Sequence, residues 1–313
     1  MKEKLKTPLK KKDVPEFRKI VTKLGLISLA LCFLQIALAF IGTIFNLDNY
    51  KEFYGSIYLI FCVISIAIIY KLNKNFVFDN ERKVQSMKPM TFVRCFCSMM
   101  SLMLVFTAPT IILDVVLNQF GYTVLDVASA NSFSDSITQF IYVSFLGPIC
   151  EEVIFRGMIQ KSLQKFTPFI AILTSSVMFG IYHGNFGQMF QATGVGIVLG
   201  YVAYRYSMKW SIAMHIVYNL FIGELFGLLS EILSKNGEEY LLPIIEVTPF
   251  NLVVSILAAA GFVFICIQLF LKKNFLQKYN VKFHKLLIPF TSIGLIFFTL
   301  YNLITSILLI VPM

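Results

Sequence analysis

Two adjacent carboxylates stand in the stretch Cys150-Glu151-Glu152-Val153-Ile154-Phe155-Arg156-Gly157, inside a run that otherwise reads as membrane-spanning. An ionisable side chain in hydrocarbon costs about 2.5–3.5 kcal/mol on insertion scales, so such residues usually face a protein interior and act there. On a helix the two glutamates point about 100° apart, to neighbouring faces. Arg156 follows Glu152 by four residues, in the favourable acid-before-base order. That pair reads as a clamp, which leaves Glu151 as the carboxylate free for chemistry. The bland alternative is a purely structural network of all three charges.

Two histidines are placed to join them. The chain has three. His183 closes the run Phe179-Gly180-Ile181-Tyr182-His183-Gly184, and His215 heads Met214-His215-Ile216-Val217-Tyr218-Asn219. His215 and Asn219 are an i,i+4 pair on one helix face. Phe179, one turn before His183, reads as packing. His284 lies among lysines in a loop and is expected to be solvated. Asp114 and Glu224 fall near the outer ends of spans with no basic partner at helical spacing, and read as interfacial or structural.

The elements that must position these groups follow from composition. Of 313 residues 57% are hydrophobic and 14% charged, with mean hydropathy +0.76, beyond the apolar share of soluble domains. An all-α polytopic transmembrane bundle is expected, without a soluble domain or an internal repeat. Apolar runs long enough to cross roughly 30 Å of hydrocarbon number about nine, or eight if two short ones are read together. They lie near 24–46, 55–72, 92–118, 137–160, 168–184, 188–206, 210–232, 248–271 and 286–311. Residues 1–23 read as a cytosolic basic arm, 24–118 as three N-terminal helices, 137–232 as a four-helix core and 248–311 as two C-terminal helices. The segment 119–136 reads as a short interfacial helix. An Ala37-Leu38-Ala39 step resembles a signal cleavage site, but the apolar run continues through Phe45, which favours an uncleaved first helix.

The formal charge of +10 reflects topology rather than nucleic acid. All but Lys51, Lys235 and Arg156 of the 27 Lys and Arg fall in alternate connecting segments, the N-terminal arm among them. Positive residues mark the cytosolic side, so the N-terminus is expected inside. The six cysteines all lie in or beside apolar runs and read as small hydrophobes, and Cys95-x-Cys97 has the wrong spacing for a zinc knuckle.

Heights along the helices can be compared. Glu151 and His183 lie equally far from Thr167 in the turn between the fourth and fifth runs, so an antiparallel hairpin sets them level. His215 is about 10 Å above its own turn near Ser207, against about 24 Å for Glu151 above the 166–168 turn. The difference closes if the end Lys161–Phe166 projects into the cytosol, the expected solution, or if the 206–210 turn is recessed. Pro148 is expected to free the carbonyl four residues earlier and to bend the helix where the carboxylates begin.

Taken together, Glu-Glu-x-x-x-Arg (Glu151, Glu152, Arg156), Phe-x-x-x-His (Phe179, His183) and His-x-x-x-Asn (His215, Asn219) resemble the CPBP intramembrane proteases. That family includes the type II CAAX prenyl endopeptidases and the bacteriocin-processing or abortive infection membrane proteins. All three motifs occur in order, each on a separate run, over residues 137–232. The resemblance implies an endopeptidase acting on a membrane-associated protein or peptide. Glu151 with His183 would activate water as general base, and His215 with Asn219 would stabilise the oxyanion. Glu152 would be either a partner base or the group that Arg156 holds. The family has been described both as metal-dependent and as metal-independent, so the cofactor stays open between zinc and none. In a zinc version Glu151, His183 and His215 are the candidate ligands; the lack of a His-Glu-x-x-His motif tilts the reading towards the metal-free form.

The Ile-, Lys- and Phe-rich composition looks like that of an AT-rich bacterium. A bacterial plasma membrane and a pheromone, bacteriocin leader or membrane-protein segment as substrate are therefore expected, rather than a prenylated protein. Two other classes compete: a non-proteolytic membrane scaffold regulating a partner such as a sensor kinase, and a proton-coupled transporter. Transporters commonly show paired repeats with matched broken helices, and the sequence shows none.

Overall fold

A computed structural model describes residues 9–44, 50–72, 85–124, 134, 136–225, 256, 260–261 and 283–312. They form a helical membrane bundle: α1 (Val14–Ile44), α2 (Tyr50–Leu72), α3 (Pro89–Asn118), α4 (Ile137–Gln164), α5 (Pro168–Tyr182), α6 (Phe186–Arg205), α7 (Met208–Tyr218, continuing through Asn219–Leu225) and α8 (Ile293–Leu308). The first four are long and apolar enough to cross a membrane; α5 and α8 are shorter apolar helices. The expected span at 248–271 lies outside the described residues, apart from three of its positions.

Helix α4 has one stretch buried on every side. From Val153 to Gln160 every side chain is buried, so the helix has no lipid or water face there. It is surrounded by α2, α5, α6 and α7. A helix buried all round belongs in the middle of a bundle, and this one carries both carboxylates. It also widens into π-helical turns over Tyr142–Leu146 and Val153–Gln160, on either side of Glu151 and Glu152. Such turns are rare and cluster at functional sites.

Without a hydrophobic force between helices in lipid, close packing of small residues holds them together. At the α1–α8 crossing a Cβ on Gly294 would lie 2.0 Å from the Thr22 carbonyl oxygen, and one on Gly25 2.4 Å from the Gly294 carbonyl carbon. Only glycine permits that approach. In the α5–α6 hairpin a Cβ on Gly180 would meet the Met189 carbonyl at 2.3 Å. The hairpin turn itself is satisfied from within: Asn185 caps α6 by accepting from the Gln188 N–H at 2.8 Å, and Gly184 takes φ +63°.

Two boundaries differ from the sequence reading. Helix α1 begins at Val14, ahead of the apolar run at 24, because Phe17 and Val21 are buried and Phe17 packs edge-on against Phe166 at 5.5 Å. Part of the basic arm is therefore a helical extension docked on the α4–α5 turn, with Lys165 Nζ 3.1 Å from Glu16 Oε1. The expected interfacial helix at 119–136 is absent from its described part. Gly121, at φ +79°, ends the chain's helical course, and Tyr122–Thr123 (β1) pairs antiparallel with Val311–Pro312 (β2). Asp114 anchors this turn, accepting from Thr123 Oγ1 at 2.7 Å and the Val124 N–H at 2.9 Å.

The height difference is absorbed at α7. A Cβ on Gly157 would lie 3.4 Å from the Met208 sulfur, so α7 starts level with Gly157. From there α4 runs on for about 10 Å of helical rise to Gln164, ending at exposed Lys165. The end of α4 thus extends beyond the α6–α7 turn.

Candidate active site

Three helices bring the site together. On α7 the residues Ser211, His215 and Asn219 recur every four positions and face α4. On α4, Glu152 is fully buried, and its two oxygens are divided between partners. Oε2 accepts from Ser211 Oγ. Oε1 lies 3.2 Å from His215 Nδ1 and 3.2 Å from Arg156 Nη1. The Arg156 pair is one of charge, since Nη1 lacks the alignment of a hydrogen bond; Nη2 donates to the Gly196 carbonyl at 3.1 Å. One turn on, Gln160 Nε2 donates to the Gly200 carbonyl at 2.9 Å. The same four-residue step on α4 and α6 thus locks the two helices in register, and a Cβ at Gly200 would lie 2.8 Å from Gln160 Oε1.

His215 stands between the two glutamates. Its Nδ1 faces Glu152 and its Nε2 lies 3.6 Å from Glu151 Oε2. Glu151 is the more accessible carboxylate, its side chain 19% exposed against none for Glu152. Glu152 is thus the enclosed carboxylate and Glu151 the open one.

His183 is placed differently. Its Nδ1 lies 2.8 Å from the Phe179 carbonyl, an acceptor only, so Nδ1 carries the proton and Nε2 is left free. Hairpin symmetry holds: Phe155 and Phe179, each one turn nearer Thr167 than Glu151 and His183, meet with centroids 5.2 Å apart. Yet among the described residues the imidazole paired with Glu151 is that of His215. The Phe179 ring packs edge-on against both histidines, its centroid 5.0 Å from His183 and 5.6 Å from His215. The Arg156 guanidinium lies over the same ring at 4.6 Å. Phe179 is packing, as expected, but packing that fixes three polar groups at once.

Asn219 Nδ2 donates to the Val143 carbonyl at 2.8 Å. Glu224 accepts from Ser134 Oγ at 2.5 Å, a tether away from the site. The five described cysteines are free and buried. The described residues contain no group of three His, Cys, Asp or Glu able to hold a metal ion. Glu151 and His215 supply two donors, and among the described residues His183 is not grouped with them. As placed, these side chains do not fit a zinc site. Ser211 escaped the sequence reading; its signal was the i,i+4 spacing ahead of His215.

The fold and site define a multi-pass helical membrane protein with a carboxylate–imidazole centre buried at mid-helix. Comparison with known proteins narrows this. Residues 133–221, which contain every site residue from Glu151 to Asn219, match the family model "Type II CAAX prenyl endopeptidase Rce1-like". The chain is 37% identical over 84 residues to a Bacillus subtilis (strain 168) protein named "Putative membrane peptidase YdiL", across 26% of this chain and 34% of that relative. It therefore spans about a third of the length of the curated relative it matches. No solved structure matches. Over residues 133–221 the chain is thus similar to the type II CAAX prenyl endopeptidase Rce1-like proteins.

Proposed function

We propose that the protein is an intramembrane endopeptidase that hydrolyses peptide bonds of a membrane-associated protein or peptide in a bacterial plasma membrane. The observation that carries the reading is His215 held between Glu151 and Glu152, with Arg156 closing the far side.

Charge balance supplies the mechanism. Two carboxylates and one guanidinium leave a single negative charge in a largely buried site. An uncompensated charge there is expensive. One more proton, held on the Glu151–His215 side, makes the cluster neutral. With that proton on His215, the imidazolium donates through Nδ1 to Glu152, and Glu151 is an ionised base. Glu151 then takes a proton from water as it attacks the scissile carbonyl. His215 stabilises the developing oxyanion and passes its proton to the leaving amine. His183, with Nε2 free, orients the attacking water. No step requires a metal.

The test is purified protein in detergent with a quenched-fluorescence peptide library, alongside Glu151→Gln. Cleavage by the wild type that is lost in the variant is expected. Equal cleavage by both would overturn the reading.

A further inference from the structure

The bond from Asn219 to Val143 has a cause in the sequence. In α4 the Gly147 N–H reaches back five residues to the Tyr142 carbonyl, opening a π turn. In α-helical register the Val143 carbonyl would accept from Gly147, which is already engaged. In π register it would accept from residue 148, and Pro148 has no N–H. Both helical donors for Val143 are thus removed by two adjacent residues. The orphaned carbonyl is therefore Val143, one position earlier than α spacing gives. In lipid every backbone polar group must find a partner within the protein, and the one found is Asn219 Nδ2 at 2.8 Å. The same bond ties α7, two turns beyond Ser211, to α4 ahead of Glu151. Gly223 lies beside Val143 on the next turn of α7, where a Cβ would be 4.0 Å from Val143 Cγ1.

We propose that Asn219 is a positioning residue, serving the reaction by completing the helix that Pro148 breaks. With both ends of α7 pinned to α4, through Ser211 to Glu152 and through Asn219 to Val143, His215 is held at the height of Glu151. This rests on the peptidase reading above, and it predicts an unusual form of rescue: restoring a backbone N–H at residue 148 should make Asn219 dispensable.

The experiment is a cycle of N219A, P148A and P148A/N219A, read both by peptide-cleavage kinetics and by thermal melting in detergent. N219A is expected to lower kcat tenfold or more with KM and the pH profile unchanged. P148A alone should stay within a few-fold of wild type, and the double variant should regain most of the lost kcat. A double variant as slow as N219A would overturn the proposal and make Asn219 a direct donor to the reacting carbonyl. If the wild type cleaves nothing, the peptidase reading fails separately, and melting alone decides. Loss of melting temperature in N219A that P148A cancels supports the clamp, whereas additive losses overturn it. Pro148→Ser restores the same N–H and replaces P148A should the alanine variant not fold.

Discussion

The two glutamates share a helix and a neighbourhood, and differ in what removing their charge would do. Glu152 is wholly buried with three polar partners, so it belongs to the structure as much as to the chemistry. Truncating one partner of a buried ion pair costs about 3–5 kcal/mol, because the other charge is left uncompensated. Arg156→Met is therefore expected to lower the detergent melting temperature sharply. Glu151→Gln, at the accessible carboxylate, should leave melting near wild type while abolishing cleavage. The contrast between the two variants, measured on the same preparations, checks the division of labour. Ser211→Ala removes one hydrogen bond to a buried carboxylate, typically worth about 1.5–3 kcal/mol. Its expected signature is a folded protein with reduced kcat, since Glu152 would no longer hold His215 in a single orientation.

At the scale of elements, the site depends on helices that approach as closely as backbones allow. The Gly196 and Gly200 carbonyls receive Arg156 and Gln160 directly, so the α4–α6 contact is both packing and part of the ion-pair clamp. The α1–α8 crossing at Gly25 and Gly294 carries no site residue. Gly294→Leu would drive a side chain into the Thr22 carbonyl, and overpacking of this kind costs about 1–3 kcal/mol. Lowered melting with kcat of the folded fraction retained is expected. If kcat fell as far as in Ser211→Ala, α8 would have to be counted among the elements that shape the site.

For the whole molecule, charge placement sets orientation. Lys165 and Glu16, with side chains 56% and 61% exposed, mark the face that carries the basic arm; Phe120, 73% exposed, marks the opposite end of α3. The described native cysteines are buried. A cysteine at Lys165 should therefore react with an impermeant maleimide only in inside-out vesicles, and one at Phe120 only in right-side-out vesicles. Cleavage by the purified protein should survive a strong chelator, since the described side chains assemble no metal-binding group. Loss of activity on chelation, restored by added zinc, would require His183 to join Glu151 and His215 as a third donor.

The sequence by itself determined the membrane class and the all-helical bundle and singled out the motif residues, because hydrophobic run length and buried charge are local properties. It also determined the clamp between Glu152 and Arg156, which needs only helical periodicity, and the level of His183, which needs only hairpin symmetry. Lateral direction was beyond it. Which imidazole Glu151 meets depends on how α5 and α7 rotate against α4, which no spacing within a single run encodes. The π turns were likewise invisible, since α and π register differ by one residue in where each N–H points. In that register the Val143 carbonyl is met by Asn219. Ser211 stayed hidden for the same reason: its bond to Glu152 crosses between helices, and only the start of α7 beside Gly157 brings the two to one height.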